Sequence, residues 1–244
     1  MSPHAHDRAC QKVDRASIRR FDLFREMPGP QLEEIVGAAR VFRVQRGRPV
    51  FRQGDPGSRF FFLLEGRLKV VQVTPHGQEI VVRLVHPGEI FGVAKALRRS
   101  SYPGTATAVA NSVVLAWSST LWDDMVDRHP SLATCVLHSL GQHVQEAHAR
   151  IRELSTEDVE HRVAHAVVRL GQTAGRRSAD GVLIDFPITL QDIAGMAGTT
   201  HFTVSRLLGT WESAGLISHG RQRLILRNLP RLEALADGAA LRVN

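Results

Sequence analysis

Apolar positions along the chain change their period several times, and each change marks an expected element. Residues 1–20 carry no apolar period and predict a mobile arm. Phe21, Leu23, Phe24, Leu32, Ile35 and Val36 predict one or two short helices broken at Pro28-Gly29-Pro30. Between about 41 and 117, short runs rich in Val, Phe, Leu and Ile alternate with glycines. The runs are Arg48–Phe51, Phe60–Leu64, Leu68–Val73, Ile80–Leu84 and Val113–Trp117, and the glycines stand at 47, 54, 57, 66, 77, 88 and 92. Short strands at near-regular spacing with Gly turns predict a compact β-roll or barrel.

From Leu121 the period becomes helical. Ala133, Leu137, Leu140, Val144, Ala147, Ile151 and Leu154 fall at steps of 4, 3, 4, 3, 4 and 3, a heptad seam. Gln142, Gln145, Glu146, Arg150, Arg152 and Glu153 occupy the flanks. A narrow seam with charged flanks favours a self-partner over packing within the chain, and Leu137, Leu140, Val144, Ala147, Ile151 and Leu154 are the expected dimer interface. Ser155-Thr156-Glu157-Asp158 reads as a junction, followed by a helix with the stripe Val159, Val163, Ala166, Val167 and Leu170. Gly171–Gly181 reads as a loop and Val182–Phe186 as a strand.

Thr189-Leu190-Gln191-Asp192 fits the capping box, which opens a short helix ending at Gly198. Thr199 or Thr200 caps the next helix, which stops at Gly215. Two helices joined by a short Gly-containing turn form a helix-turn-helix, and Leu216-Ile217 with Leu224-Ile225-Leu226 add a hairpin, or wing. At about 100° per residue, Val204, Leu207, Leu208 and Trp211 share one buried arc of the second helix. Phe202, Arg206, Gly209 and Ser213 lie opposite, with His201 and Ser205 on a flank. In a groove-reading helix an apolar side chain packs on a thymine methyl while an Arg forks onto guanine. Thr199, Thr200 and the helix N-terminus are placed for phosphate. The expected DNA contacts are therefore Thr199, Thr200, His201, Phe202, Thr203, Ser205 and Arg206. The alternative is a plain helical hairpin in which Phe202 packs under another element.

Charge adds little to this picture. The net charge is +7, yet residues 156–244 hold 10 basic and 9 acidic residues against 21 and 15 in residues 1–155. Locally, Thr199–Arg227 carries four Arg to one Glu, Glu212. Two cysteines exclude a disulfide framework and a four-thiolate iron–sulfur cluster. No apolar stretch approaches the roughly 20 residues of a membrane span, and the start of the chain lacks a signal-peptide core. P-loop, GxSxG and HExxH motifs are absent and carboxylates are scattered, so catalysis is not expected.

Taken together, FRQGDPGSRFFFLLEGRLKV, Pro87-Gly88-Glu89-Ile90-Phe91-Gly92, the long helix and GTTHFTVSRLLGTWESAGLI resemble the superfamily of the cyclic-AMP receptor protein and the fumarate-and-nitrate-reduction regulator. The resemblance spans roughly Phe21–Leu235. It implies an α+β chain: an arm (1–20), a cyclic-nucleotide-binding-like β-roll (21–120), a long dimerisation helix (121–155) and a winged helix-turn-helix (156–244). It also implies a cytoplasmic homodimer on a near-palindromic operator in double-stranded DNA, with RNA polymerase as partner if it activates, and no membrane. Its effector pocket maps onto Gly88, Glu89, Phe91, Gly92, Val93, Arg98, Arg99, Tyr102 and Thr105.

Departures from the family pattern concern the effector. Cyclic-nucleotide members place a Glu after the glycine equivalent to Gly92 and an Arg-Ser or Arg-Thr pair about ten residues on; here those places hold Val93 and Tyr102-Pro103. Neither an apolar side chain nor Tyr-Pro supplies the ribose acceptor and the phosphate cation, which argues against cyclic AMP. Arg98 and Arg99 are the alternative cations for a cyclic nucleotide. The Tyr102–Ala106 stretch is similar to the nitrogen-oxide-responsive branch, which implies haem, with His4, His6, His86, His138, His143 and His148 among the candidate histidines. Cys10 and Cys135 are candidate redox switches or plain small residues. Many members have a Glu at the place of Phe202, so the half-site is expected to differ. A regulatory subunit of an enzyme complex would need only the roll; the helix-turn-helix argues against it.

Overall fold

A computed structural model describes residues 15–77, 79–184, 186–220 and 223–238. His4, His6 and Cys10 lie outside the described residues. The chain divides into two compact units, residues 1–78 with 82–145 and residues 79–81 with 146–244.

Among the described residues, the first unit begins with three short helices, α1 (Arg15–Arg19), α2 (Asp22–Arg25) and α3 (Gly29–Gly37). Residues 15–20 depart from the expected arm, whose first fourteen residues lie outside the described ones: α1 forms and Ile18 is wholly buried, a single apolar anchor too isolated to show as a period. Pro30 sits in the first turn of α3, where the missing N–H is no loss, so Pro28-Gly29-Pro30 separates two helices by starting the second.

Eight strands follow: β1 (Arg40–Val44), β2 (Pro49–Phe51), β3 (Arg59–Glu65), β4 (Leu68–Val73), β5 (Glu79–Val85), β6 (Ile90–Phe91), β7 (Thr105–Ala108) and β8 (Ser112–Ser118). They form two four-stranded sheets, ordered β1-β8-β3-β6 and β2-β7-β4-β5. Five consecutive residues of β3, Phe60–Leu64, are buried because both faces of the strand are covered. Phe60, Phe62 and Leu64 join a core with Phe24, Leu32, Ile35, Trp117 and Trp122. Phe61 and Leu63 point the other way, into a core with Phe51, Phe91, Tyr102 and Ala106. The Trp117 Nε1–H donates to the Ile35 carbonyl at 2.8 Å and ties α3 to the roll. β1, β6 and β7 lie outside the expected strands; Thr-Ala-Thr-Ala in β7 has too few large apolar side chains to stand out.

A single helix from Leu121 does not form. A 3₁₀ turn (Ser119–Leu121) leads into α4 (Trp122–Arg128), and α5 (Pro130–Thr156) begins after a break at His129. Pro130 holds His129 at φ −134°, ψ 76°, outside the helical region. Leu132, Val136 and Leu140, at steps of four, face the core of the first unit.

The second unit holds the end of α5, then α6 (Val159–Ala174), β9 (Gly175–Ser178), β10 (Gly181–Ile184), α7 (Leu190–Ala197), α8 (His201–Ser213), β11 (Ile217–Gly220), β12 (Arg223–Leu226) and α9 (Leu229–Ala236). Its sheet runs β11-β12-β10-β9. The expected loop from Gly171 is instead the last turn of α6 plus β9. Gly171 serves close approach rather than a stop, since a Cβ there would lie 2.4 Å from Leu226 Cδ1. Asp158 caps α6, accepting from the His161 N–H at 3.1 Å. Among the described residues, no helix is long and apolar enough to cross a membrane.

Candidate nucleic-acid interface and effector pocket

The α7–α8 turn is built from local chemistry. Thr189 Oγ1 accepts from the Asp192 N–H at 3.0 Å and Asp192 accepts from the Thr189 N–H at 3.1 Å, closing the capping box. Gly198 follows α7 at φ 63°, ψ 47°, the left-handed conformation that a side chain disfavours. Thr200 then caps α8, its Oγ1 accepting from the Thr203 N–H at 3.2 Å.

Val204, Leu207, Leu208 and Trp211 are buried, and the Trp211 Nε1–H donates to Glu160 on α6 at 3.0 Å. A buried indole N–H needs such an acceptor, and this bond fixes the roll of α8 about its axis. Glu212 holds the wing: it accepts from the His219 N–H at 3.0 Å and faces its Nδ1 at 3.0 Å. Sequence reasoning missed both partners, although a Trp in a buried stripe was a signal to look for one. The opposite side of α8 presents His201, Phe202, Ser205 and Arg206 to solvent, with Thr203 half-buried; Thr199 is half-buried and Thr200 exposed. Phe202 is 74% exposed, and the His201 ring lies 3.9 Å from it, centroid to centroid.

On α5, Leu137 (68%), Val144 (51%), Ile151 (62%) and Leu154 (55%) are exposed large apolar side chains, and Ala147 is exposed between them. Leu140 departs from the expected interface, being half-buried against the first unit's core. The reason is helical geometry: at 3.6 residues per turn the 132-136-140 row turns away from the 137-144-151 row. Glu153, buried, forms a fork with Arg169 of α6 at the end of α5.

In the roll, Phe91, Gly92 and Tyr102 come together around Phe51. The Tyr102 ring stacks on Phe51 at 3.9 Å, and its hydroxyl donates to the Arg59 carbonyl at 2.7 Å. Gly92 has φ 68°, and a Cβ there would lie 2.8 Å from the Phe61 ring. Gly88 (φ 97°) turns the chain against Phe21. Val93 packs on the other core, Arg98 and Arg99 are exposed, and Thr105 Oγ1 accepts from the Gln53 N–H at 3.0 Å. The predicted pocket residues therefore occupy several surroundings, and three of them are packed side by side inside the roll.

Glu89 pairs with Arg83 of β5, which also donates to His143 Nδ1 at 3.2 Å. A guanidinium has no acceptor, so Nδ1 is unprotonated. The lone charge in the apolar run Ile80–Val85 was the available signal for Arg83. Burial, and then Arg83, push the His143 pKa down to about 4; burial, and then Arg67 and Arg83, do the same for His86. An unfolded imidazole takes its proton near pH 6.5 and these folded ones only near 4, so protons drive unfolding between those values. Urea midpoints are expected to be level above pH 7 and to fall from about pH 6.5 toward 4, and replacing His86 and His143 by Gln should flatten that fall.

Comparison with known proteins bears on both units. Residues 41–129 match the family model described as a cyclic nucleotide-binding domain, and residues 161–235 match a Crp-like helix-turn-helix domain. The cyclic AMP receptor protein of Thermus thermophilus is 30% identical over 195 residues, 80% of this chain and 87% of the relative. The chain belongs to the family of the cyclic-AMP receptor protein and the fumarate-and-nitrate-reduction regulator. The global nitrogen regulator of Synechococcus elongatus is 29% identical over 209 residues, 84% of this chain and 91% of the relative. A CRP-family transcriptional regulator from Thermus thermophilus has a solved structure that aligns with TM-score 0.67 at 27% identity, covering 83% of this chain and 99% of that one. As a member of this family, the chain is an effector-regulated DNA-binding transcription regulator and not an enzyme. These relatives carry nitrogen-regulator and cyclic-AMP-receptor names, so the family is fixed and the nitrogen-oxide branch is not.

Proposed function

We propose that this family member works as a homodimer joined along α5, that the outer face of α8 reads a near-palindromic operator, and that the roll answers to an effector other than cyclic AMP. The observation that carries the reading is the row of exposed Leu137, Val144, Ile151 and Leu154 on one helix. Large apolar side chains at heptad spacing, half to two-thirds of whose surface is still exposed, gain about 1–2 kcal/mol each when a second copy covers them. Two heads joined in this way would meet major-groove faces about 34 Å apart.

Against cyclic AMP stand Val93, the stacked Tyr102 and the exposed Arg98 and Arg99, none of which offers a buried cation for a cyclic phosphate. A haem-borne response to nitric oxide is the second reading. It is supported by the Tyr102–Ala106 stretch and by His86, an imidazole kept neutral at physiological pH, the form in which histidine binds iron; His143 is already engaged, its Nδ1 accepting from Arg83 and its proton therefore on Nε2.

Thermal unfolding with and without millimolar cyclic AMP tests the first point. No shift in Tm is expected, whereas a ligand at 100 times its Kd stabilises by about 2.7 kcal/mol and would contradict it. An absorbance spectrum of protein purified from its own host separates the two readings. A Soret band selects haem; aromatic absorbance alone turns the search to small organic ligands or to oxidation of Cys10 and Cys135.

A further inference from the structure

We propose that Phe202, backed by His201, recognises the C5-methyl group of a pyrimidine in the major groove, so that each half-site carries a thymine at one fixed position and 5-methylcytosine serves equally well there. The proposal rests on the assignment of α8 as the groove-reading helix and adds the chemistry that it reads.

Of the ten phenylalanines, Phe202 is the one exposed to solvent; the others are buried or half-buried. It occupies the second residue of α8, in the N-terminal turn that reaches base edges in helix-turn-helix proteins. Arg206 stands one helical turn further on, at i+4, so the two side chains share a face. The His201 ring lies 3.9 Å from the phenyl ring, centroid to centroid, and flanks one side of it.

A phenyl ring neither donates nor accepts a conventional hydrogen bond. The apolar feature that base pairs offer in the major groove is the thymine C5-methyl. The same carbon carries a methyl in 5-methylcytosine and none in uracil or cytosine. The acidic side chain of α8, Glu212, stands at its C-terminal end beside His219, and the first turn, which holds Phe202, carries no carboxylate to accept from cytosine N4. The contact therefore reads a methyl group rather than a hydrogen-bonding pattern.

The test begins with full-length protein and a random duplex pool, from which the preferred operator is selected. Each thymine of that operator is then replaced by deoxyuridine, symmetrically in both half-sites, and Kd is measured at fixed salt. One position is expected to lose about ten- to twentyfold, the square of the roughly fourfold value of one buried methyl. Cytosine placed there should regain a similar factor when methylated at C5. Phe202→Ala should abolish both effects while still binding, and selection with Phe202→Glu should return C·G at that position. An enriched operator indifferent to deoxyuridine everywhere overturns this proposal alone, as does equal methyl dependence in Phe202→Ala or a retained thymine with Phe202→Glu. Failure of the wild-type protein to enrich any sequence overturns the DNA-reading assignment of α8 as well.

Discussion

Val144→Asp, or Ile151→Asp, should convert the protein to a folded monomer and remove high-affinity operator binding. Both side chains are more than half exposed in the single chain, so the substitution costs the protomer little. In a symmetric pair, each change places two carboxylates in an apolar seam, where burying an uncompensated charge costs several kcal/mol. Loss of the dimer also uncouples the two DNA-binding heads and forfeits the roughly 10²–10⁴-fold gain of simultaneous engagement. Sedimentation equilibrium should report the monomer mass with an unchanged far-UV circular-dichroism spectrum, and the melting temperature should lose its dependence on protein concentration. A variant that remains dimeric would place the interface elsewhere. Leu140→Asp separates the two helix faces: it should destabilise the first unit, because Leu140 packs on that core.

The second large effect is expected at Arg206. Its exposed side chain has the geometry to fork onto guanine O6 and N7, a pairing worth about 1–3 kcal/mol per half-site. Arg206→Ala in both protomers should therefore weaken specific binding by about 30-fold to 2 × 10⁴-fold, since two contacts are lost per operator. Binding to unrelated duplex should change far less, because phosphate contacts supply that component. Measuring both Kd values at one salt concentration checks the split. Equal loss on specific and unrelated DNA would make Arg206 a phosphate contact instead.

Features with a local cause were readable in the chain. The capping box of Thr189 and Asp192, the left-handed Gly198 and the buried arc of Val204 to Trp211 follow from residues within one or two helical turns. The Gly-punctuated runs gave the roll for the same reason, since each strand and turn is short. What stayed hidden depends on partners far apart in sequence. Phe51 meets Tyr102, Arg83 meets His143, and Trp211 meets Glu160, and no spacing rule links such residues. Leu140 shows the limit of a heptad reading: the exposed row is narrower than the apolar one, because one side of α5 also serves its own unit. Ile18 and β7 show that one anchor, or four small side chains, can build an element without a visible period.

Hydroxyl-radical footprinting of the selected operator with wild-type protein tests the central claim most directly, namely that the outer face of α8 reads duplex DNA twice, from a symmetric pair. The predicted result is two symmetry-related patches of protection about one helical turn apart, roughly 10 base pairs, at physiological salt. A single protected patch, or none, would contradict it.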